Sequence, residues 1–321
     1  MQAAFRAFMS RIIDYAGLFP PASLSLEPAV RNYAKYRSSQ EAWMLSRFIC
    51  PVSRLNELDP LIAELFSADE PLPLSVLGRA VEGAHELIVS LEEDVESLDR
   101  FREKHSPKVA IDAFEFTLPD DVGRLGSVDL QEILARVSAV LVDRAQLRTS
   151  LEARWSNVGE SSVRTVIDAL ATLPAAQRDD GMISFKLRCG GVVPAAFPSV
   201  PLVARTLRYS RTRGLACKFT AGLHHPLRRF DDSVETRMHG FFNVFGAAVL
   251  THACDLEVSS IERILLEEDP AAFSFSDEGF SYSKWNASVD EIKQARRAVA
   301  LSFGSCSFDE PREDLACLGY L

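Results

Sequence analysis

The stretch MISFKLRCG at positions 182–190 decides the architecture, because its residues separate by parity. Ile183, Phe185 and Leu187 fall on one face of an extended strand, and Ser184, Lys186 and Arg188 on the other. A strand with one wholly apolar face and two cations opposite fits a closed barrel, with the apolar face on outer helices and the cations turned inward. The run LACKFTAG (215–222) repeats the pattern, with Leu215, Cys217 and Phe219 outward and Ala216, Lys218 and Thr220 inward. Outward from this pair lie IIDYAGLF (12–19), WMLSRFIC (43–50), LPLSVLG (72–78), KVAIDAFEF (108–116) and SLEARW (150–155), with AFSFS (272–276) on the far side. Helical patterns such as HELIVSLEEDVESLDRF and VDEIKQARRAVALSF stand between them. Eight such runs alternating with eight helical units predict a single-domain (β/α)8 TIM barrel over residues 1–321.

The flanks complete this reading. Phe5, Phe8, Met9, Ile12 and Ile13 recur at helical spacing around Arg6, which predicts an amphipathic N-terminal helix rather than a signal peptide. The C-terminal tail SFGSCSFDEPREDLACLGYL is polar and then apolar, and is expected to close the barrel floor or to serve a dimer contact. A doubly wound nucleotide-binding sheet is the competing fold. It would carry a glycine-rich phosphate turn, and neither G-x-G-x-x-G nor G-x-x-x-x-G-K-[ST] occurs.

Composition narrows the partners. A net charge of −10 argues against nucleic acid or an anionic membrane surface. The apolar run at 241–250 is too short to span a bilayer and contains Asn243. Six cysteines without a C-x-x-C pair are expected as free thiols in a reducing cytoplasm. Only seven of the 35 basic residues are lysine, and two of those seven, Lys186 and Lys218, are the inward ones.

Barrel active sites gather at the carboxyl ends of the strands, so these lysines carry the chemical expectation. A lysine attacks a carbonyl only as the free amine, and burial beside a second ammonium lowers its pKa. Simple pairing with inward carboxylates such as Glu152, or anion binding, explains the same residues equally well. Glu152 shares a face with Arg154 and is the expected partner of Lys186. Asp112 and Glu115 have opposite parity, so a regular strand turns at most one of them inward, and Glu115 lies nearer the carboxyl end.

TAGLHHPLR (220–228) gathers His224, His225 and Arg228, with Arg229 next and His239 further on. Adjacent histidines do not readily share a metal, and no H-x-x-x-H or HExxH pattern supports zinc. One histidine is therefore expected as a general acid/base and the arginines as anion clamps, with neither metal nor cofactor. His239 and Asn243, four apart, are expected to cap or pack a helix, and His85 and His105 to lie in outer segments.

Three of these motifs resemble strands of the deoxyribose-phosphate aldolase family of class I aldolases. Asp14 in IIDYAGL is similar to the family's first-strand I-D-x-T. Lys186 and Gly190 in KLRCG match its sixth-strand K-x-x-x-G, and Lys218, Thr220 and Gly222 in KFTAG its seventh-strand K-x-S-G-G. The resemblance implies that Lys186 forms the imine and that Lys218 lowers its pKa. It departs at the phosphate turns, since the eighth run ends in SFSDEG, where Asp277 and Glu278 would repel a phosphate, and the sixth loop reads GGVVPAAFP. DYAGLFPPA, the Gly190–Gly191 pair and TAGLHHPLR also resemble a bacterial family with no established activity.

The expectation is thus a lyase acting on a small anionic oxo compound. Lys186 is the nucleophile, Lys218 tunes it, and Asp14, Glu152 or His224 moves protons. Arg188, Gly190, Gly191, Thr220, Gly222, His225 and Arg228 bind the substrate, in a chain that also fits a homo-oligomer. Two other readings stay open. One is an isomerase or hydrolase using the lysines as clamps and His224 or His225 as acid/base, and the other a non-catalytic anion-binding barrel.

Overall fold

The strands, in chain order, are β1 (Ile13–Tyr15), β2 (Leu45–Pro51), β3 (Leu72–Leu77), β4 (Val109–Thr117), β5 (Arg148–Glu152), β6 (Ile183–Arg188) and β7 (Ala216–Thr220), then β8 (Arg229–Asp231), β9 (Thr236–Met238), β10 (Phe273–Phe275), β11 (Gly279–Tyr282), β12 (Trp285–Ser288) and β13 (Ala300–Ser305). In this computed structural model, which describes residues 1–122, 125–153 and 155–321, strands β1–β7 and β13 close into a barrel. All barrel pairings are parallel, from β1 on β2 round to β7 on β13 and β13 on β1. The chain is a (β/α)8 barrel.

The alternation read in β6 holds. Ile183, Phe185 and Leu187 are buried against the outer layer, and each such side chain contributes roughly 1.5–3 kcal/mol of apolar burial. Local signals fix several helix ends. Ser199 accepts a hydrogen bond from the Leu202 amide and opens the helix Val200–Thr212. Ser288 and Glu291 form a capping box on the helix Val289–Ala298. The apolar 241–250 run lies within the helix Phe241–Cys254, buried on nearly every side, which explains its lack of a polar face. No helix among the described residues is long and apolar enough to cross a membrane.

The eighth strand corrects the sequence reading. AFSFS does form a strand, β10, but it pairs antiparallel with β11 in a three-stranded sheet outside the barrel. Phe273 and Phe275 point into an aromatic cluster, where Phe275 lies 5.3 Å from Phe242 and 5.2 Å from Phe8. Period-2 alternation is the same for a barrel strand and a peripheral one, so it could not separate the two. The true eighth strand, β13, follows the helix Val289–Ala298 with no glycine or proline between them, and so merges into the helical pattern.

The tail therefore builds barrel wall rather than closing the floor. After β13 it continues as the helix Asp309–Cys317, and Tyr320 stacks on Phe5 with ring centroids 4.8 Å apart. Phe5 belongs to the expected N-terminal helix, Ala3–Met9. Asp277, expected at the mouth, instead accepts a hydrogen bond from the Ala3 amide at 2.9 Å. The eighth barrel strand ends at Ser305 and runs into Cys306 and Ser307, small and polar.

Candidate active site

The parallel register sets Glu152 beside Lys186 and Lys186 beside Lys218 across β5, β6 and β7. All three side chains are buried and point into the barrel. Glu115 joins them through an irregularity in β4. Leu74 pairs with Ile111 but Ser75 with Ala113, so Asp112 is the extra residue of a bulge. The bulge resets parity and resolves the conflict between the two carboxylates. Asp112 turns to the amino-terminal rim, where both its oxygens bind Arg47 at 2.6 Å, and Glu115 faces the barrel centre.

The result is one chain of alternating charges through the barrel. Arg47 donates its backbone N–H to Asp14 Oδ1 at 3.0 Å, with its guanidinium 3.9 Å away. Lys218 Nζ donates to Asp14 Oδ2 at 2.7 Å and to Glu115 Oε1 at 2.6 Å. Lys186 Nζ lies 2.9 Å from Glu115 Oε2 and 3.3 Å from Glu152 Oε2. Arg188 Nε closes the series on Glu152 Oε1 at 2.8 Å. Two hydroxyls support it, Ser75 donating to Glu115 and Ser302 to Asp14, both at 2.6 Å.

Every charge in this series shapes its neighbour. Burial alone would push the Glu115 carboxyl up, but Lys186 and Lys218 override it and hold Glu115 far below the usual carboxylate range. Asp14 is lowered in the same way by Lys218 and Arg47, and Glu152 by Lys186 and Arg188. For Lys186, burial opposes the charge, yet Glu115 and Glu152 prevail and its pKa is raised. This corrects the expectation that Lys218 depresses Lys186, because Glu115 stands between the two ammonium groups and binds both. At rest Lys186 is an ammonium with two proton acceptors in contact.

At the carboxyl end the barrel opens into a cavity of about 420 Å³. Lys186, Arg188, Glu115 and Glu152 form its charged floor, and Thr220, Gly191 and His224 line its side. Phe19 and Pro20 of DYAGLFPPA, with Ile49, Leu77, Val192 and Val193, supply apolar walls. Lys218 and Asp14 are absent from this lining. They act from beneath, through Glu115.

His224 is the histidine that reaches the cavity. Its Nδ1 lies 3.1 Å from Glu310 Oε2 and 4.0 Å from Cys306 Sγ. Burial disfavours the imidazolium, but contact with Cys306 and Glu310 raises its pKa to about 9. At neutral pH it is a cation on the cavity wall.

Other expected site residues stand behind the wall. His225 turns to Asp314 at 2.6 Å, and the Arg228 guanidinium lies 3.8 Å from Glu268. Gly190 and Gly222 press on each other where β6 and β7 end. A Cβ on either would come within 2.7 Å of the other's Cα, and Gly222 has φ +72°, so both serve close backbone approach. His239 Nε2 donates to the Pro198 carbonyl, 2.8 Å away, and Asn243 donates to the Ile264 and Glu267 carbonyls, as expected of packing residues. His85 and His105 both lie in the outer helix Ala84–His105, His85 exposed and His105 2.6 Å from Asp59 in a half-buried pair. Arg154 lies outside the described residues.

Sequence reasoning missed Arg47, Ser75, Ser302 and Cys306. Ser75 had a signal, as the one hydroxyl in the apolar run LPLSVL. Ser302 and Cys306 were hidden with β13. Among the described residues, no three His, Cys, Asp or Glu side chains are grouped to hold a metal ion. Searches against protein-family models and against curated proteins give no match.

Proposed function

We propose that this protein is a carbon–carbon lyase of the class I aldolase kind, forming an imine between Lys186 and a small anionic oxo compound. The observation carrying this reading is the setting of Lys186, whose ammonium opens onto the cavity while touching Glu115 and Glu152. A carboxylate takes one proton from the ammonium, and the free amine adds to the substrate carbonyl carbon. The same carboxylate returns its proton to the departing hydroxyl, so ammonium plus carbonyl gives iminium plus water. Glu152 then accepts the proton of a β-hydroxyl, and the C–C bond pair moves into the iminium to give an enamine and a free aldehyde. Reprotonation at carbon and hydrolysis return Lys186 and release the second product.

Arg188 and the protonated His224 supply two cations for a carboxylate or phosphate on the substrate, and the apolar walls fit a short carbon chain. The test is borohydride reduction in the presence of a panel of oxo acids and aldehydes, followed by peptide mass spectrometry. A stable adduct on Lys186 is expected. A panel-wide failure to label Lys186 overturns the imine.

One observation favours a second reading. Lys186 is held charged at rest, so Lys186, Arg188 and His224 present three cations to one cavity, as an anion clamp would. An isomerase or hydrolase working through His224 keeps activity in Lys186→Arg, whereas imine chemistry does not survive loss of the primary amine.

A further inference from the structure

The opposite, amino-terminal end of the barrel holds a second and larger concavity, of about 850 Å³. Of its 20 lining residues, eight are Lys or Arg and two are Asp. This runs against the chain as a whole, which carries net charge −10. Lys218, Ser46, Ser150 and Ser302 form its inner surface, and the helix Val289–Ala298 forms one side.

The positive charge there is incompletely balanced. Asp112 is shared, since Arg47 binds both its oxygens and Arg11 and Arg148 also act on it electrostatically. Arg148 itself donates to the Asp180 backbone carbonyl rather than to a carboxylate. Arg296 donates only to carbonyls, those of Phe8, Ser10, Ala300 and Leu301. Its charge has no carboxylate in contact among the described residues, and burial draws its pKa down to about 9. Arg11 and Arg297 likewise have no ion-pair partner among the described residues. Arg11 also holds a left-handed backbone, φ 49°, which is uncommon outside Gly, Asn and Asp.

Six of the eight cations are arginines, or five if Arg47, already bound to Asp112 through both oxygens, is set aside. Planar guanidinium forks match phosphate oxygens in pairs, which a point-charge ammonium does not. A concave wall with this composition, closed at its inner end by hydroxyls and one ammonium, suits a compact ligand rather than an extended chain.

We infer that this amino-terminal cavity is a binding site for a small, multiply charged phosphate compound, separate from the cavity at the carboxyl end. Arg11 and Arg297 grip the phosphate oxygens at the open rim, beside Lys293, which pairs with Asp290 at 3.1 Å, and the inner cations add an attractive field.

Isothermal titration of the full chain with inorganic pyrophosphate at 0.15 M salt tests the inference. Saturable one-site binding is expected, weakened at least tenfold in Arg11→Gln/Arg297→Gln and unchanged in Lys186→Met. Both substituted arginines are at the surface, and an unshifted melting temperature without ligand checks the fold of the variant. Arg297→Lys should retain part of the affinity. Absence of saturable binding, or equal affinity in the double variant, overturns the site. Loss of binding in Lys186→Met also overturns it, since the anion then sits at the carboxyl end. The result is independent of imine formation, because borohydride labelling reads Lys186 alone.

Discussion

The two ends of this barrel use the same kinds of residue to different effect. At the carboxyl end Lys186 and Arg188 meet Glu115 and Glu152, and the His224 cation meets Glu310, so each cation has an anion in contact beside apolar walls. At the amino end eight cations and two aspartates line a wider, more polar hollow, and only Lys218 and Lys293 draw on carboxylates outside that lining alone. The balanced end holds its ions at fixed distances and can pass a proton between neighbours. The unbalanced end has charge to spare and is built to attract. Charge density alone does not mark a reactive site; charge matched by a partner in contact, on the floor of a cavity with apolar walls, does so better.

The comparison breaks first at Lys186. Lys186→Met should lower turnover on any identified substrate by roughly 10³-fold or more, the upper part of the range for losing one proton-handling group. Its stability should change less, because Glu115 keeps Lys218 and Glu152 keeps Arg188. A steady-state rate and a urea titration of the same sample separate the two effects. If activity persists, Lys186 is not the reacting amine and the chemistry falls to His224.

Lys218 should respond in the opposite sense. Lys218→Met leaves Asp14 buried with only the Arg47 backbone N–H, the Ser302 hydroxyl and a guanidinium 3.9 Å away. Breaking a buried pair in this way costs about 3–5 kcal/mol, read as a shift of the denaturation midpoint. A loss below 1 kcal/mol would mean that the lower half of the charge chain does not hold the barrel together.

The pH dependence sharpens the contrast further. The folded pKa of His224 is raised to about 9, so its stabilisation is complete below its unfolded value near 6.5 and fades as pH rises through 9. Roughly 2–3 kcal/mol should disappear over that window, and His224→Gln should flatten it. Asp14, Glu115 and Glu152 are depressed, so their contribution is present above the unfolded carboxylate range near 4 and is lost as pH falls through their lower folded values. Chemical denaturation from pH 3 to 10 reads both flanks.

The smallest expected effect is at Arg188, 44% exposed along its side chain. Arg188→Gln should raise KM for an anionic substrate about tenfold while leaving kcat within a few-fold, in keeping with one charge-assisted hydrogen bond. A kcat loss larger than the KM change would move Arg188 from binding into the chemical step.

Seven barrel strands were legible in the sequence because each alternates cleanly or ends in turn residues. The eighth was not, since β10 imitates a barrel strand and β13 runs straight on from a helix. Inward parity identified Lys186, Lys218 and Glu152, because register in a buried strand is set by its apolar face, whereas Asp14 came from the resemblance of its strand motif. The bridging role of Glu115 was not legible. It depends on a one-residue bulge at Asp112, which changes no residue type and leaves no pattern. His224 and His225 were indistinguishable as neighbours in a loop, and only their partners, Glu310 and Asp314, separate them.

The alternating charge series has a consequence for how this sequence can drift. Arg47, Lys218, Lys186 and Arg188 balance Asp112, Asp14, Glu115 and Glu152 one for one. Removing a single link strands its neighbours, whereas removing adjacent opposite links together leaves the remainder paired. Related chains should therefore lose or gain these charges as couples, and the couples should be neighbours in the barrel rather than in the sequence.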